Sequence, residues 1–155
     1  MQILYDRYHT LGLEILAFPC NNFGAQEPGT NADIVSAARA KGATFPILGK
    51  LECENGSQTA PIFKYLKDNS EAGLLGKPLR WNFTKFLCDA AGKPTHRFGP
   101  QDAPTSFESV IVRLLEAAGA SSDDLKSAAI TIPANLSSPN SPVGDGAPKA
   151  ENLER

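Results

Sequence analysis

The residues best suited to chemistry lie in two short polar runs. The first is Phe18-Pro19-Cys20-Asn21-Asn22-Phe23-Gly24-Ala25-Gln26-Glu27-Pro28-Gly29-Thr30, which offers a thiol, carboxamides and a carboxylate. The second is Trp81-Asn82, an indole N–H beside a carboxamide. Indole N–H and carboxamide NH₂ groups donate hydrogen bonds without ionising. Converging on one point, they can stabilise an anion such as a thiolate. The same residue types also serve structure, because a Trp before a strand packs into cores and loop Asn and Gln cap backbone groups. On these residues alone both readings stand. His9 and His96 are the only histidines and lie far apart, with no Cys or Asp at ligand spacing, so no metal site is expected.

The elements that must position these groups follow from periodicity. Met1 to Leu11 carries Ile3, Leu4, Tyr8 and Leu11 on a helical period, with Gly12 as a stop. Leu13 to Phe18 is a short apolar run closed by Pro19, a buried-strand pattern that delivers the first polar run from a strand end. Loops after strand ends are where open α/β sheets place their sites. Thr30 can cap a helix reaching about Lys41 before Gly42. Phe45 to Leu51 reads as a strand broken by Pro46 and Gly49. Thr59 is expected to cap a helix with Pro61 in its first turn and Ile62, Phe63, Tyr65 and Leu66 on its apolar side. Phe83 to Asp89 and Thr95 to Phe98 form a hairpin across Ala90-Ala91-Gly92. Pro94 lacks an N–H and should lie on an edge. Thr105 and Glu108 can form a capping box for a last helix with Phe107, Ile111, Leu114, Leu115 and Ala118 on one face. The expected class is α/β with a mixed sheet.

Composition bounds the rest. A chain of 155 residues fits one domain. A net charge of −2 leaves no electrostatic footprint for nucleic acid. No apolar run approaches the roughly 20 residues that span a bilayer, and the opening MQILYDRYHT is no signal-peptide core. Cys20, Cys53 and Cys88 form no CxxC pair, which points to reduced thiols and a cytoplasmic setting. Every aromatic residue lies between Tyr5 and Phe107. The expectation is a body over residues 1–119 and a Ser/Pro-rich tail over 120–155. That tail is too poor in large apolar groups to offset its ordering entropy, and is disordered from about Ser137. A short helix near Asp123 to Ile130 is possible within it.

The runs FPCNNFGAQEPGT (Phe18 to Thr30) and WNFTKFLCDAAGK (Trp81 to Lys93) resemble the two signature blocks of the glutathione peroxidase family. The flanking LYDRYHTLGLEILAFP, TAPIFKYLKDN and HRFGP fit as well, so the resemblance covers roughly residues 1–117 in order. It implies a thioredoxin-like fold and a peroxidase that reduces hydroperoxides with glutathione or a thioredoxin-type protein, without a cofactor. By motif, the catalytic residues are Gln26, Trp81 and Asn82, the donors around a peroxidatic sulfur or selenium. The short stretch from Asn69 to Trp81 resembles the monomeric branch that accepts lipid hydroperoxides.

Departures from the family pattern shape the expectation. The family's peroxidatic residue sits in a Cys- or Sec-Gly-x-Thr motif after the first core strand, upstream of the helix that opens this chain, and no such motif occurs in these residues. The chain is therefore expected to lack that core strand and nucleophile, to be inactive as written, and to have lost any targeting peptide with them. The stretch Asn31 to Gly42 holds no resolving Cys, and Asn22 stands where the family usually has Gln. Cys20 is the one candidate replacement nucleophile, although a packed role suits it better. Arg97 can add a positive rim for an anionic thiol substrate, or simply lie on a solvated strand face. The alternative to an enzyme is a non-catalytic thioredoxin-like remnant that only binds partners.

Overall fold

The computed structural model describes residues 1–70 and 78–130. The first helix, α1 (Gln2–Tyr8), continues as a 3-10 turn over His9–Leu11 and stops at Gly12, whose φ of 107° suits only a residue without Cβ. Its N-terminus has no side-chain cap. Next, α2 (Asn31–Ala40) opens on a reciprocal capping box between Thr30 and Asp33, and α3 (Pro61–Asn69) starts with Pro in its first turn. The hairpin pairs β1 (Lys85–Cys88) antiparallel with β2 (Pro94–Phe98). A 3-10 turn over Pro104–Phe107 leads into α4 (Glu108–Ala117), followed by α5 (Ser122–Ile130). Among the described residues no helix is long and apolar enough to cross a membrane.

Several elements differ from expectation for local reasons. Leu13 to Phe18 runs extended, with Leu13 and Ile15 buried and Glu14 and Leu16 exposed, yet forms only a single parallel bridge, Ala17 to Ile47. Two things shorten the ladder. Pro46 has no N–H to give, and Ile15 N–H turns to the Glu14 carboxylate at 2.8 Å. The expected mixed sheet is thus one antiparallel hairpin and one parallel bridge. Thr59 does not cap α3: its Oγ1 accepts from Asn55 N–H at 2.9 Å and the N-cap is Ala60. Only Phe63 and Leu66 of the expected apolar side are buried, while Ile62 and Tyr65 face out. Nor do Thr105 and Glu108 form a capping box, because the Glu108 carboxylate is drawn to α1. Its Oε1 accepts from Arg7 Nη1 at 2.8 Å and from the Tyr8 hydroxyl at 2.6 Å. Pro94 starts β2 opposite Cys88, beside a register shift between Leu87 and Cys88, a place where its missing N–H breaks no ladder bond.

Two apolar clusters hold these pieces together. The first joins Leu4 and Tyr8 of α1, Leu13, Ile15, Phe107, Ile111 and Leu115, and includes Leu125 of α5. Leu125 is 1 % exposed, so a helix from the stretch assigned to the tail packs on the body. The expected disorder from Ser137 onward lies outside the described residues. The second cluster gathers Cys53, Phe63, Leu66 and Leu79, with Phe18, Cys20, Phe86 and Cys88 against it. Stacked Phe98 and Phe107 rings, 3.9 Å apart, tie β2 to the turn before α4.

Leu125→Ala should lower unfolding free energy by about 2–4 kcal/mol, the usual effect of truncating a fully buried leucine. Urea denaturation measures this, and a change below about 0.5 kcal/mol would place α5 outside the cooperative body. Burial, aided by its bond to Glu108, pushes the Tyr8 hydroxyl up from 10.0 to about 12. A raised pKa favours the protonated form in the folded state. That contribution is whole below pH 10 and is lost as pH climbs toward 12. Alkaline stability curves of the wild type and Tyr8→Phe should diverge across that window, and parallel curves would contradict the assignment.

Candidate functional site

The polar loop after Phe18 is held in one shape by its own side chains. Asn21 Oδ1 accepts Glu27 N–H at 2.8 Å, closing the loop on itself. Lys50 Nζ donates to Glu27 O at 2.9 Å and Gly29 O at 2.6 Å. Asn22 reaches across the chain: its Oδ1 accepts Cys53 N–H at 2.8 Å and the Cys53 thiol at 3.2 Å, and its Nδ2 donates to Glu52. The Lys50 and Cys53 bonds are part-buried and satisfy backbone groups that burial would otherwise strand.

This loop brings Gln26 to Asn82. Asn82 Nδ2 donates to Gln26 Oε1 at 2.8 Å and, more weakly, to Phe23 O at 3.4 Å. Trp81 packs beside them, its ring 5.9 Å from that of Phe23. A Cβ on Gly24 would stand in ordinary contact, 3.5 Å from both the Trp81 ring and the Gln26 side chain, while its φ of 67° favours glycine. Both amide-bearing residues have a strained neighbour. Ala25, just before Gln26, has φ 50°, and Phe83, just after Asn82, has φ 60°. Left-handed backbone in residues with a Cβ costs about 1–2 kcal/mol each and collects at functional sites. Sequence reasoning missed this strain, since neither Ala nor Phe signals a left-handed turn.

Gln26, Trp81 and Asn82 line the mouth of one groove of 580 Å³ that runs between the Leu13 to Cys20 segment and β1. Its walls are mainly apolar, with Ile15, Phe18 and Phe86 among them, and Cys20 lines it too. Asn82 spends its NH₂ on protein acceptors. Among the described residues, the Gln26 NH₂ and Trp81 indole N–H bond no protein group, so they remain free to donate into the groove. Trp81 is 47 % exposed and Phe83 80 %. Arg97 lies elsewhere: its Nη2 donates to Pro78 O at 2.7 Å and its guanidinium sits 5.5 Å over the Phe86 ring. The three cysteines are free thiols. Burial, with Cys20 as neighbour, pushes the Cys53 thiol up to about 12, and burial also raises Cys88. Among the described residues no group of three or more His, Cys, Asp or Glu side chains could hold a metal ion.

Helices around a short sheet, with polar loops at the strand ends, are the architecture of thioredoxin-like proteins, and solved structures agree. The crystal structure of T. cruzi GPX1 superposes with a TM-score of 0.56 at 34 % identity, covering 73 % of this chain and 67 % of that one. The apo crystal structure of Trgpx gives 0.56 at 27 % identity. Residues 1–67 match the sequence profile of glutathione peroxidase. A probable phospholipid hydroperoxide glutathione peroxidase of Citrus sinensis is 50 % identical over 116 residues, 74 % of this chain and 68 % of the relative. The chloroplastic phospholipid hydroperoxide glutathione peroxidase 1 of Arabidopsis thaliana is 49 % identical over 115 residues, 74 % of this chain and 48 % of the relative. The chain belongs to the glutathione peroxidase family, on the phospholipid-hydroperoxide side of it. It spans from about half to about two thirds of the length of these plant relatives.

With little exposed area and little thiolate, Cys53 should be the slowest of the cysteines to alkylate. Native protein treated with iodoacetamide at pH 8 and mapped by mass spectrometry should show Cys20 labelled at least about tenfold faster. Equal rates would mean that Cys53 is neither buried nor raised.

Proposed function

We propose that this chain carries the donor half of a thiol-peroxidase site. It would serve the reduction of hydrogen peroxide and organic or lipid hydroperoxides at the expense of glutathione or a thioredoxin-type protein. The observation that carries this reading is the Gln26–Asn82 hydrogen bond beside Trp81, with the Gln26 NH₂ and the indole N–H left to donate at the mouth of the groove. A sulfur nucleophile attacks the O–O bond as thiolate. Neutral donors aimed at that sulfur favour the charged form, and the same N–H groups can hold the departing oxygen as charge builds on it. In this reading Gln26 and Trp81 donate to the reacting atoms, and Asn82 positions Gln26. Arg97, engaged with Pro78 and Phe86, has no part.

Neither Cys53 nor Cys88 suits the role of the nucleophile that these donors serve. No Cys-Gly-x-Thr motif occurs in the 155 residues, Cys53 is buried with a raised thiol, and Cys88 lies on β1. Cys20 faces the same groove and remains the minor alternative. A second reading, a binding module without catalysis, is favoured by exposed Leu16, Trp81 and Phe83. Relatives named mitochondrial and chloroplastic leave the compartment of this chain a separate question from its chemistry, and reduced thiols favour a cytosol-like one.

The 155-residue chain should consume hydrogen peroxide with glutathione or thioredoxin no faster than free thiols do. Extended at its N-terminus by a family strand bearing Cys-Gly-x-Thr, it should turn over, and Gln26→Ala or Trp81→Phe should then lower kcat/KM by about 10²-fold, the scale for one lost donor. Turnover by the short chain that vanishes in Cys20→Ser would make Cys20 the nucleophile. A folded extended chain without turnover, or variants with unchanged rates, would leave the binding module as the better account.

A further inference from the structure

Cys20, Cys53 and Cys88 are far apart in sequence, yet all meet at the second apolar cluster. Two of them are drawn together by more than packing. Leu51 N–H donates to Pro19 O at 3.1 Å, just before Cys20. Asn22 Oδ1 accepts Cys53 N–H at 2.8 Å, just after it. These bonds bracket Cys20 on one segment and lock Cys53 on the other. Cys20 packs against the cluster to which Cys53 belongs, and both line the groove. Their access to solvent differs, since Cys53 is 2 % exposed whereas Cys20 is half-buried. A disulfide needs two such backbones held within a few ångströms, with thiols facing each other.

We propose that Cys20 and Cys53 are a redox pair that closes to an intramolecular disulfide when a hydroperoxide oxidises Cys20. In the first step the Cys20 thiolate attacks the distal oxygen of ROOH. The O–O bond breaks, Cys20 becomes a sulfenic acid, and the leaving alkoxide takes a proton to give ROH. In the second step Cys53 attacks the sulfenic sulfur, an S–S bond forms, and hydroxide leaves with the Cys53 proton as water. The sum is two thiols plus ROOH giving a disulfide, ROH and water. Two electrons pass from sulfur to the peroxide. Cys20 takes the first step because it alone of the pair has solvent access. Cys53 takes the second because its segment is hydrogen-bonded to that of Cys20 on either side, which makes the reaction intramolecular and offsets the scarcity of its thiolate. Closure also protects Cys20 from the irreversible sulfinic and sulfonic stages. The pair uses neither Gln26, Trp81 nor Asn82, so it stands or falls separately from the peroxidase reading.

Trypsin separates the three cysteines into peptides 8–39, 51–64 and 86–97. The wild-type chain would be treated with hydrogen peroxide, alkylated, digested without reductant and mapped by mass spectrometry. The expected result is a cross-link between peptides 8–39 and 51–64, lighter by two hydrogens than their sum. Free thiols would fall from three to one, and dithiothreitol would restore them. Cys88→Ser should keep the cross-link. In Cys53→Ala, dimedone should trap Cys20 as sulfenic acid. Should Cys53→Ala fail to fold, the wild-type and Cys88→Ser maps decide the matter alone. Three free thiols after treatment, a link through Cys88, disulfide dimers, or Cys20 as sulfinic acid beside a free Cys53 would each overturn the proposal.

Discussion

The clasp made by Asn22 is the contact on which the candidate site depends. One carboxamide oxygen accepts from the Cys53 N–H, the Cys53 thiol and the Glu54 N–H, while its NH₂ holds Glu52. That joins the loop after Phe18 to the chain before α3 without any ladder between them. It adds to the Ala17 bridge, the Leu51–Pro19 bond and the Lys50 bonds that also hold this loop. With the clasp in place, Cys20 stays beside Cys53, and Gln26 is delivered to Asn82 across a separation of 56 residues.

The groove is lined by Glu14, Glu27 and Lys85 as well as by neutral polar groups. The cations nearest to it are engaged. Lys50 donates to two loop carbonyls, Lys85 to the carbonyls of Gly99, Pro100 and Asp102, and Lys67 pairs with Glu54. The neutral Gln26 and Trp81 donors line the same groove. Such donors favour an anion without holding a permanent counterion, which suits a site that must bind a neutral peroxide and then stabilise charge as it develops. The strain at Ala25 and Phe83 fits the same design. Left-handed backbone at these points aims Gln26 and Asn82 toward each other and leaves Phe83 exposed. The surrounding hydrogen bonds hold a geometry that neither residue prefers.

The second apolar cluster connects this polar rim to the thiols. Phe18 and Phe86 both meet Phe63 edge-on, at 5.7 and 6.4 Å, so α3 braces both walls of the groove. The cysteines sit on this braced framework rather than on loose loops. Burial keeps Cys53 protonated, and Cys20 packs against the same cluster. The first cluster acts at a distance: Tyr8, Arg7 and Glu108 fasten α1 to α4, and Leu125 seals α5 over them.

By itself the sequence determined the family, the main helices and the hairpin, because these rest on local signals. The stop at Gly12, the cap at Thr30, the hairpin turn before Pro94 and the two signature blocks can each be read within a few residues. It also named Gln26, Trp81 and Asn82. Only the tertiary structure decided what depends on distant partners. Glu108 leaves a local capping box because Arg7 and Tyr8, about a hundred residues earlier, offer a partly buried cation and hydroxyl. Leu125, in a stretch whose composition reads as tail, becomes core because α1 presents an apolar face to it. The strand expected over Leu13 to Phe18 shrinks to one bridge because its neighbour brings Pro46. Cys20 and Cys53 become neighbours through hydrogen bonds between segments that no spacing rule connects. Local propensity is written in adjacent residues, whereas a side chain's partner is set by which surfaces the fold brings into contact.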